Sequence, residues 1–163
     1  MVSSNSEDRP LSESEAKLAQ IVTDVLQGKT TLRAEVGMTD DEIEAIYAVT
    51  YNLYTTGKYM DAARLFGLLA MLNPYEYRFI FGGASCMQML GEYTLASMYF
   101  QLAAGLEEEN PAPMLHTAEC LLALKDRDGA QAALEFAVER AGDKPEYAQL
   151  LQKAGVMLEN LKG

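Results

Sequence analysis

The sequence predicts an all-α solenoid of three stacked helical hairpins, and three registers carry that prediction. Ala62, Ala96 and Ala130 stand 34 residues apart, and Phe66, Phe100 and Leu134 keep the same interval. Counted from the first residue of each unit, position four reads Ile46, Ile80 and Met114, and position eleven reads Leu53, Met87 and Leu121. Position eight is small each time: Thr50, Ala84 and Ala118. Apolar residues four and seven apart fill one stripe of a helix, while small residues let paired helices approach closely. Each unit therefore buries its face only by stacking on the next.

A helical-hairpin period of this length is that of the tetratricopeptide repeat. Its product is a curved scaffold with a groove, suited to holding another protein rather than to catalysis. Composition agrees. At 163 residues and 49% apolar content the chain is long enough for one compact domain with frayed ends. Its formal charge of −11 repels phosphate backbones and anionic lipid, so neither nucleic acid nor membrane is an expected partner. No apolar run approaches the roughly 20 residues of a membrane span, and the polar, acidic Met1 to Pro10 is unlike a secretory signal. A cytoplasmic location is expected.

The elements follow in order. Residues 1–11 are polar and expected to be disordered. Residues 12–38 form an N-terminal helix and connector: Ser12 with Glu15 makes a capping-box pattern, and Leu18, Ile21, Val22 and Val25 mark a helical face that stops at Gly28. That stripe must be covered, either by the solenoid or by a second copy, which makes it a candidate dimerisation element. Residues 39–142 hold the three repeats. Thr39 with Glu42 opens the first helix, Gly57 ends it, and Tyr59 to Leu72 forms its partner before Asn73-Pro74. The second hairpin spans about Tyr75 to Leu106 and turns at Gly91, and Asn110-Pro111 introduces the third. There Lys125 replaces the turn glycine, so either the geometry differs or the glycine has slid four residues along to Gly129. Residues 143–163 form a capping helix with Tyr147, Leu150, Leu151, Ala154, Leu158 and Leu161 on one face.

Signs of chemistry are sparse. The chain has one histidine and lacks phosphate loops, paired zinc-type cysteines and a nucleophile motif. His116, Glu119 and Cys120 share neighbouring helical turns but supply three ligands at most, and the repeat assigns Cys120 to packing. No metal or cofactor is expected; His116 is read as a hydrogen-bonded helix residue or one that touches the ligand. Cys86 and Cys120 occupy the same repeat position on successive units, too far apart for a disulfide, and are expected to be buried thiols. Gly82 and Gly83 each cost about 1 kcal/mol inside a helix. Close helix packing and an opening for a ligand both account for them.

The first helices of stacked repeats line the concave face, with positions two, five, nine and twelve pointing inward. These are Glu44, Tyr47, Tyr51 and Tyr54, then Arg78, Phe81, Ser85 and Gln88, then Ala112, Leu115, Glu119 and Leu122. Four aromatics and two leucines exceed what packing demands, and contiguous apolar surface marks an interaction site. An extended peptide fits: polar Gln88, Glu119 and Arg78 would meet its main chain while aromatic pockets take alternate side chains. Three apolar anchors at roughly 1.5–3 kcal/mol each bring micromolar affinity or weaker once ordering costs are met.

Thr31-Leu32 after Gly28, Ile46-Tyr47 leading to Gly57-Lys58-Tyr59, Cys86 with Gln88, and His116-Thr117-Ala118-Glu119-Cys120-Leu121-Leu122 together resemble the class II, tetratricopeptide chaperones of bacterial type III secretion translocators. The likeness runs over roughly residues 15 to 160. It implies a non-enzymatic cytoplasmic chaperone that binds hydrophobic pore-forming translocators before export and holds an extended segment of Pro-x-Leu-x-x-Pro type in its groove. By position the matching residues are Tyr47, Tyr51, Tyr54, Phe81 and Gln88, with Leu115, Glu119 and Leu122. Two rivals stand beside it: an adaptor that clamps a terminal carboxylate, which needs Lys, Arg and Asn where this chain has tyrosine and apolar residues, and an assembly scaffold.

Overall fold

A computed structural model describes residues 12–162; the expected disorder of residues 1–11 lies outside them. The chain divides into two compact units, Met1–Thr39 and Asp40–Gly163. Every regular element among the described residues is helical.

In the first unit, helix α1 spans Glu13–Leu26. Both halves of the Ser12–Glu15 capping box form: Glu15 N–H donates to Ser12 Oγ at 3.3 Å, and Ser12 N–H to Glu15 Oε2 at 2.8 Å. Gly28 follows the helix at φ 68°. Leu18, Val22 and Leu26 are exposed. The connector holds a short helix, α2 (Leu32–Glu35), whose cap Thr31 accepts from Ala34 N–H.

The second unit carries three hairpins and a cap. These are α3 (Asp40–Thr55) with α4 (Tyr59–Leu72), α5 (Tyr77–Met89) with α6 (Tyr93–Leu106), and α7 (Ala112–Ala123) with α8 (Arg127–Ala141). A single 3₁₀ turn, Pro145–Tyr147, leads into α9 (Ala148–Lys162). Each helix packs on the next in sequence, and α9 reaches back to α7 as well as α8. The residues that set the 34-residue register form the core: Ala62, Ala96, Ala130, Phe100 and Leu134 are fully buried and Phe66 nearly so. Thr50, Ala84 and Ala118 are also at zero exposure. Thr50 satisfies its hydroxyl on Ile46 C=O at 2.8 Å, so a polar group sits in the core without an unmet hydrogen bond.

The three hairpin turns share one hydrogen-bond pattern. Gly57 N–H donates to Tyr54 C=O and Lys58 N–H to Leu53 C=O, and Gly91 to Gln88 and Glu92 to Met87 repeat the pair. Lys125 to Leu122 and Asp126 to Leu121 repeat it again, at 3.0 and 2.9 Å. This closure requires a left-handed residue after the helix, and Lys125 adopts φ 65° beside 79° and 80° for Gly57 and Gly91. The third turn therefore keeps the geometry of the others and places a lysine where they use glycine. Gly129 has not taken over the turn; it lies in the first turn of α8, where its N–H donates to Asp126 Oδ1 at 2.9 Å.

Both cysteines are buried free thiols, and burial pushes each up to about 11. Cys120 packs with Ala84, Ala96 and Phe100.

Candidate peptide-binding groove

Six of the inward residues named from the sequence line one cavity. Tyr47, Tyr51 and Tyr54 come from α3, Arg78, Phe81 and Ser85 from α5, and Phe66, Tyr77 and Gly82 complete it. Its volume is about 250 Å³, more than the roughly 150 Å³ that takes up a benzene-sized group in an apolar cavity. Burial raises the phenols of Tyr47, Tyr54 and Tyr77 above the ordinary tyrosine value, so these walls stay neutral across the physiological range. Tyr77 is a wall that the sequence reading missed. It occupies position one of the second repeat, and its hydroxyl accepts from Asn110 Nδ2 at 3.1 Å. Phe66 was read only as core, yet its ring is shared by core and cavity.

The rings hold one another. Tyr47 stacks on Tyr51 with centroids 6.2 Å apart and meets Phe66 edge-on at the same distance, while Tyr77 stacks on Phe81 at 5.3 Å. Offset and edge-on pairs of this kind add about 0.5–1.5 kcal/mol beyond area burial. Tyr51 is half-exposed; Tyr47, pressed on Phe66, Phe79 and Arg78, is structural as well. Gly82 answers the glycine question in both senses. A Cβ there would run into the Phe66 ring, so packing requires the glycine, and the same residue is part of the cavity wall. At Gly83 a Cβ would meet Phe66 Cβ at an ordinary 3.5 Å.

Arg78 guards the cavity without offering a free charge. Its Nη2 donates to Glu44 Oε1 at 2.7 Å, Nη1 to Glu44 Oε2 at 3.3 Å, and Nε to Glu76 Oε1 at 3.0 Å. The guanidinium lies 4.7 Å from the centre of the Tyr47 ring. The hydrogen bonds from Arg78 hold the Glu44 carboxyl below its ordinary value. This forked geometry is the strong form of the pair, and it leaves the cation committed to two carboxylates rather than available to clamp a third.

Gln88, Leu115, Glu119 and Leu122 lie elsewhere. Gln88 and Glu119 join His116 in a polar network: Gln88 Nε2 donates to Glu119 Oε2 at 3.0 Å, and His116 Nδ1 is 3.1 Å from Gln88 Oε1. The hydrogen bond from His116 leads the effects that hold the Glu119 carboxyl down to about 2, against the opposing effect of burial. Leu115 and Leu122 depart from the expectation of an open inward face. Leu115 is 5% exposed and packs with Ala118, Leu134 and Ala154, with Leu122 against the same cluster. The cause is α9, which contributes Ala154, Leu150 and Leu158 to that core. A second cavity of about 200 Å³, lined by Ala63, Met71, Ile80, Gly83 and Tyr99 among others, has only Phe66 in common with the first.

A repeat solenoid with an apolar cavity between the first helices of two units defines a tetratricopeptide protein that binds other proteins. Tetratricopeptide-repeat models match residues 43–76 and 87–154. The Low calcium response locus protein H of Yersinia pseudotuberculosis is 34% identical over 137 residues, covering 84% of this chain and 82% of that protein. Among solved structures, a type III secretion complex from Aeromonas hydrophila superposes with a TM-score of 0.83 at 35% identity, over 88% of this chain and 95% of that one. The Yersinia enterocolitica type III secretion chaperone SycD, in complex with a peptide of the translocator YopD, does so at 0.74 and 34%, over 77% and 96%. The chain belongs to the tetratricopeptide chaperones of type III secretion translocators.

Proposed function

We propose that the cavity between α3 and α5 receives the apolar side chains of an extended translocator segment, and so keeps the client soluble and competent for export. The observation that carries this reading is the convergence of Tyr47, Tyr51, Tyr54, Phe81 and Ser85 on one largely apolar cavity. The peptide held by SycD supports it. Binding there is non-covalent and calls for no chemistry: the protein acts as a cytoplasmic holder, not an enzyme. Among the described residues no helix is long and apolar enough to cross a membrane. Homodimerisation through residues 12–38 belongs to the same reading, since α1 carries exposed Leu18, Val22 and Leu26. Sedimentation of the full chain against one starting at Thr39 tests it; the same number of chains per particle in both would exclude it.

The groove is tested by titrating a labelled synthetic peptide of Pro-x-Leu-x-x-Pro pattern against the full chain and a Tyr51→Ala variant. Micromolar binding is expected, weakened several-fold by the variant at unchanged helicity. Unchanged affinity would show that the peptide sits elsewhere. Purification from the native bacterium should recover stoichiometric partners with long apolar membrane segments; recovery of soluble partners indifferent to Tyr51 would favour an adaptor or scaffold.

A further inference from the structure

His116 lies outside the cavity, and the groove as described makes no use of it. It is partly buried on α7, its ring stacked on Phe100 with centroids 5.0 Å apart and edge-on to Phe81 at 5.5 Å. Phe81 is a cavity wall, so the imidazole backs the groove at one ring's remove. Besides its approach to Gln88 Oε1, His116 Nδ1 stands 3.0 Å from Glu119 Oε2. Lys153 of α9 pairs with the other Glu119 oxygen.

The chemistry of these groups leaves one arrangement. An ionised carboxylate only accepts, so the part of the Gln88 amide that meets Glu119 is its NH₂. The amide oxygen is then turned to His116, and an acceptor there requires a proton on Nδ1. The same proton suits the approach of Nδ1 to Glu119. A reversed amide would set its oxygen against the carboxylate at 3.0 Å with no hydrogen between them. Gln88 thus commits its acceptor to His116 and one N–H to Glu119, and retains a second N–H. Phe81, Ser85 and Gln88 follow one another at four and three residues on α5, the spacing of a single helix face, which puts Gln88 in line with the cavity row.

We infer that His116 is a positioning residue: it locks the Gln88 amide so that its uncommitted N–H is the group presented at this end of the groove, and a client segment is read there through a main-chain carbonyl. The inference rests on the groove reading. It states more than that reading, because it selects the polarity of the contact and names the residue that imposes it.

Long-range ¹⁵N–¹H correlation spectra of the labelled full chain, without peptide, report the lock directly. A protonated Nδ1 and a resolved Gln88 NH₂ pair are expected; a bare Nδ1 would overturn the lock. For binding, His116→Phe keeps the stack on Phe100 and removes the donor, whereas His116→Asn keeps a donor near Nδ1. The Pro-x-Leu-x-x-Pro peptide is expected to bind His116→Phe about fivefold more weakly and His116→Asn within about twofold of wild type. An ester scan of the peptide should find one carbonyl whose weakening costs about fivefold on wild type and nothing on Gln88→Ala. Equal affinity of wild type and His116→Phe, or an ester scan with no position dependent on Gln88, would overturn the carbonyl contact. A peptide that fails to bind wild type overturns the groove and the carbonyl contact together, whereas a bare Nδ1 with peptide binding intact overturns the lock alone.

Discussion

Positions five, nine and twelve of the repeat meet opposite ends in two parts of the solenoid. In the first two units they supply Tyr47, Tyr51, Tyr54, Phe81 and Ser85 to the cavity wall. In the third they supply Leu115 and Leu122 to a core, and Glu119 to a polar network. The backbone cannot be the reason, since all three hairpins close through the same pair of turn hydrogen bonds. What differs is the neighbour: α9 covers the inward row of the third unit. A repeat position therefore assigns a direction, and the next element decides whether that direction means binding surface or interior.

The sharpest way to break this comparison is truncation at equivalent positions. Leu115→Ala is expected to cost about 2–5 kcal/mol in urea unfolding while leaving peptide affinity of the folded fraction unchanged. Weakened binding without lost stability would return Leu115 to the groove. Next comes Glu119. Its carboxyl is held at about 2 rather than 4.5, and a group depressed in the fold adds stability above its unfolded value that is lost as pH falls through the folded one. The advantage of wild type over Glu119→Gln should be about 1–3 kcal/mol at pH 7 and decline from about pH 5 to pH 2. A pH-independent difference would show that the carboxylate charge is not what stabilises the third unit. In the first unit the effect moves from stability to binding: Tyr51→Ala should weaken the peptide by about five- to thirtyfold and change unfolding by no more than about 1.5 kcal/mol, the worth of its stack on Tyr47. The smallest effect is at the third turn. A left-handed lysine costs roughly 1–2 kcal/mol and glycine loses about 0.5–1 kcal/mol of that advantage to chain entropy, so Lys125→Gly should stabilise by about 0.5–1 kcal/mol. Destabilisation would mean that the lysine side chain makes a contact worth more than its strain.

Much of this was legible in the sequence, for identifiable reasons. Periodicity reports what each helix does to its immediate partner, so Ala62, Phe100 and Leu134 were readable as core and Tyr47 and Phe81 as inward. Gly57 and Gly91 announce their turns because their φ is one that other residues resist. Lys125 hides the third turn, since the backbone hydrogen bonds that enforce its conformation leave no mark on residue type. The inward position of Leu115 reads as groove in the sequence, because its burial depends on how α9 packs against α7. Tyr77 and Phe66 were missed because each position serves packing first, and only the arrangement of α4 against α5 shows that its ring also lines a cavity.

Phe66 is the one residue common to both cavities, so a single ring stands as the partition between them. A wall backed by close-packed atoms resists indentation, as protein interiors generally do. The floor beneath Tyr47 and Gly82 is instead a single ring with unfilled volume adjoining it elsewhere. Any displacement of that ring therefore changes the volume of both cavities at once, with α3 and α5 left in place.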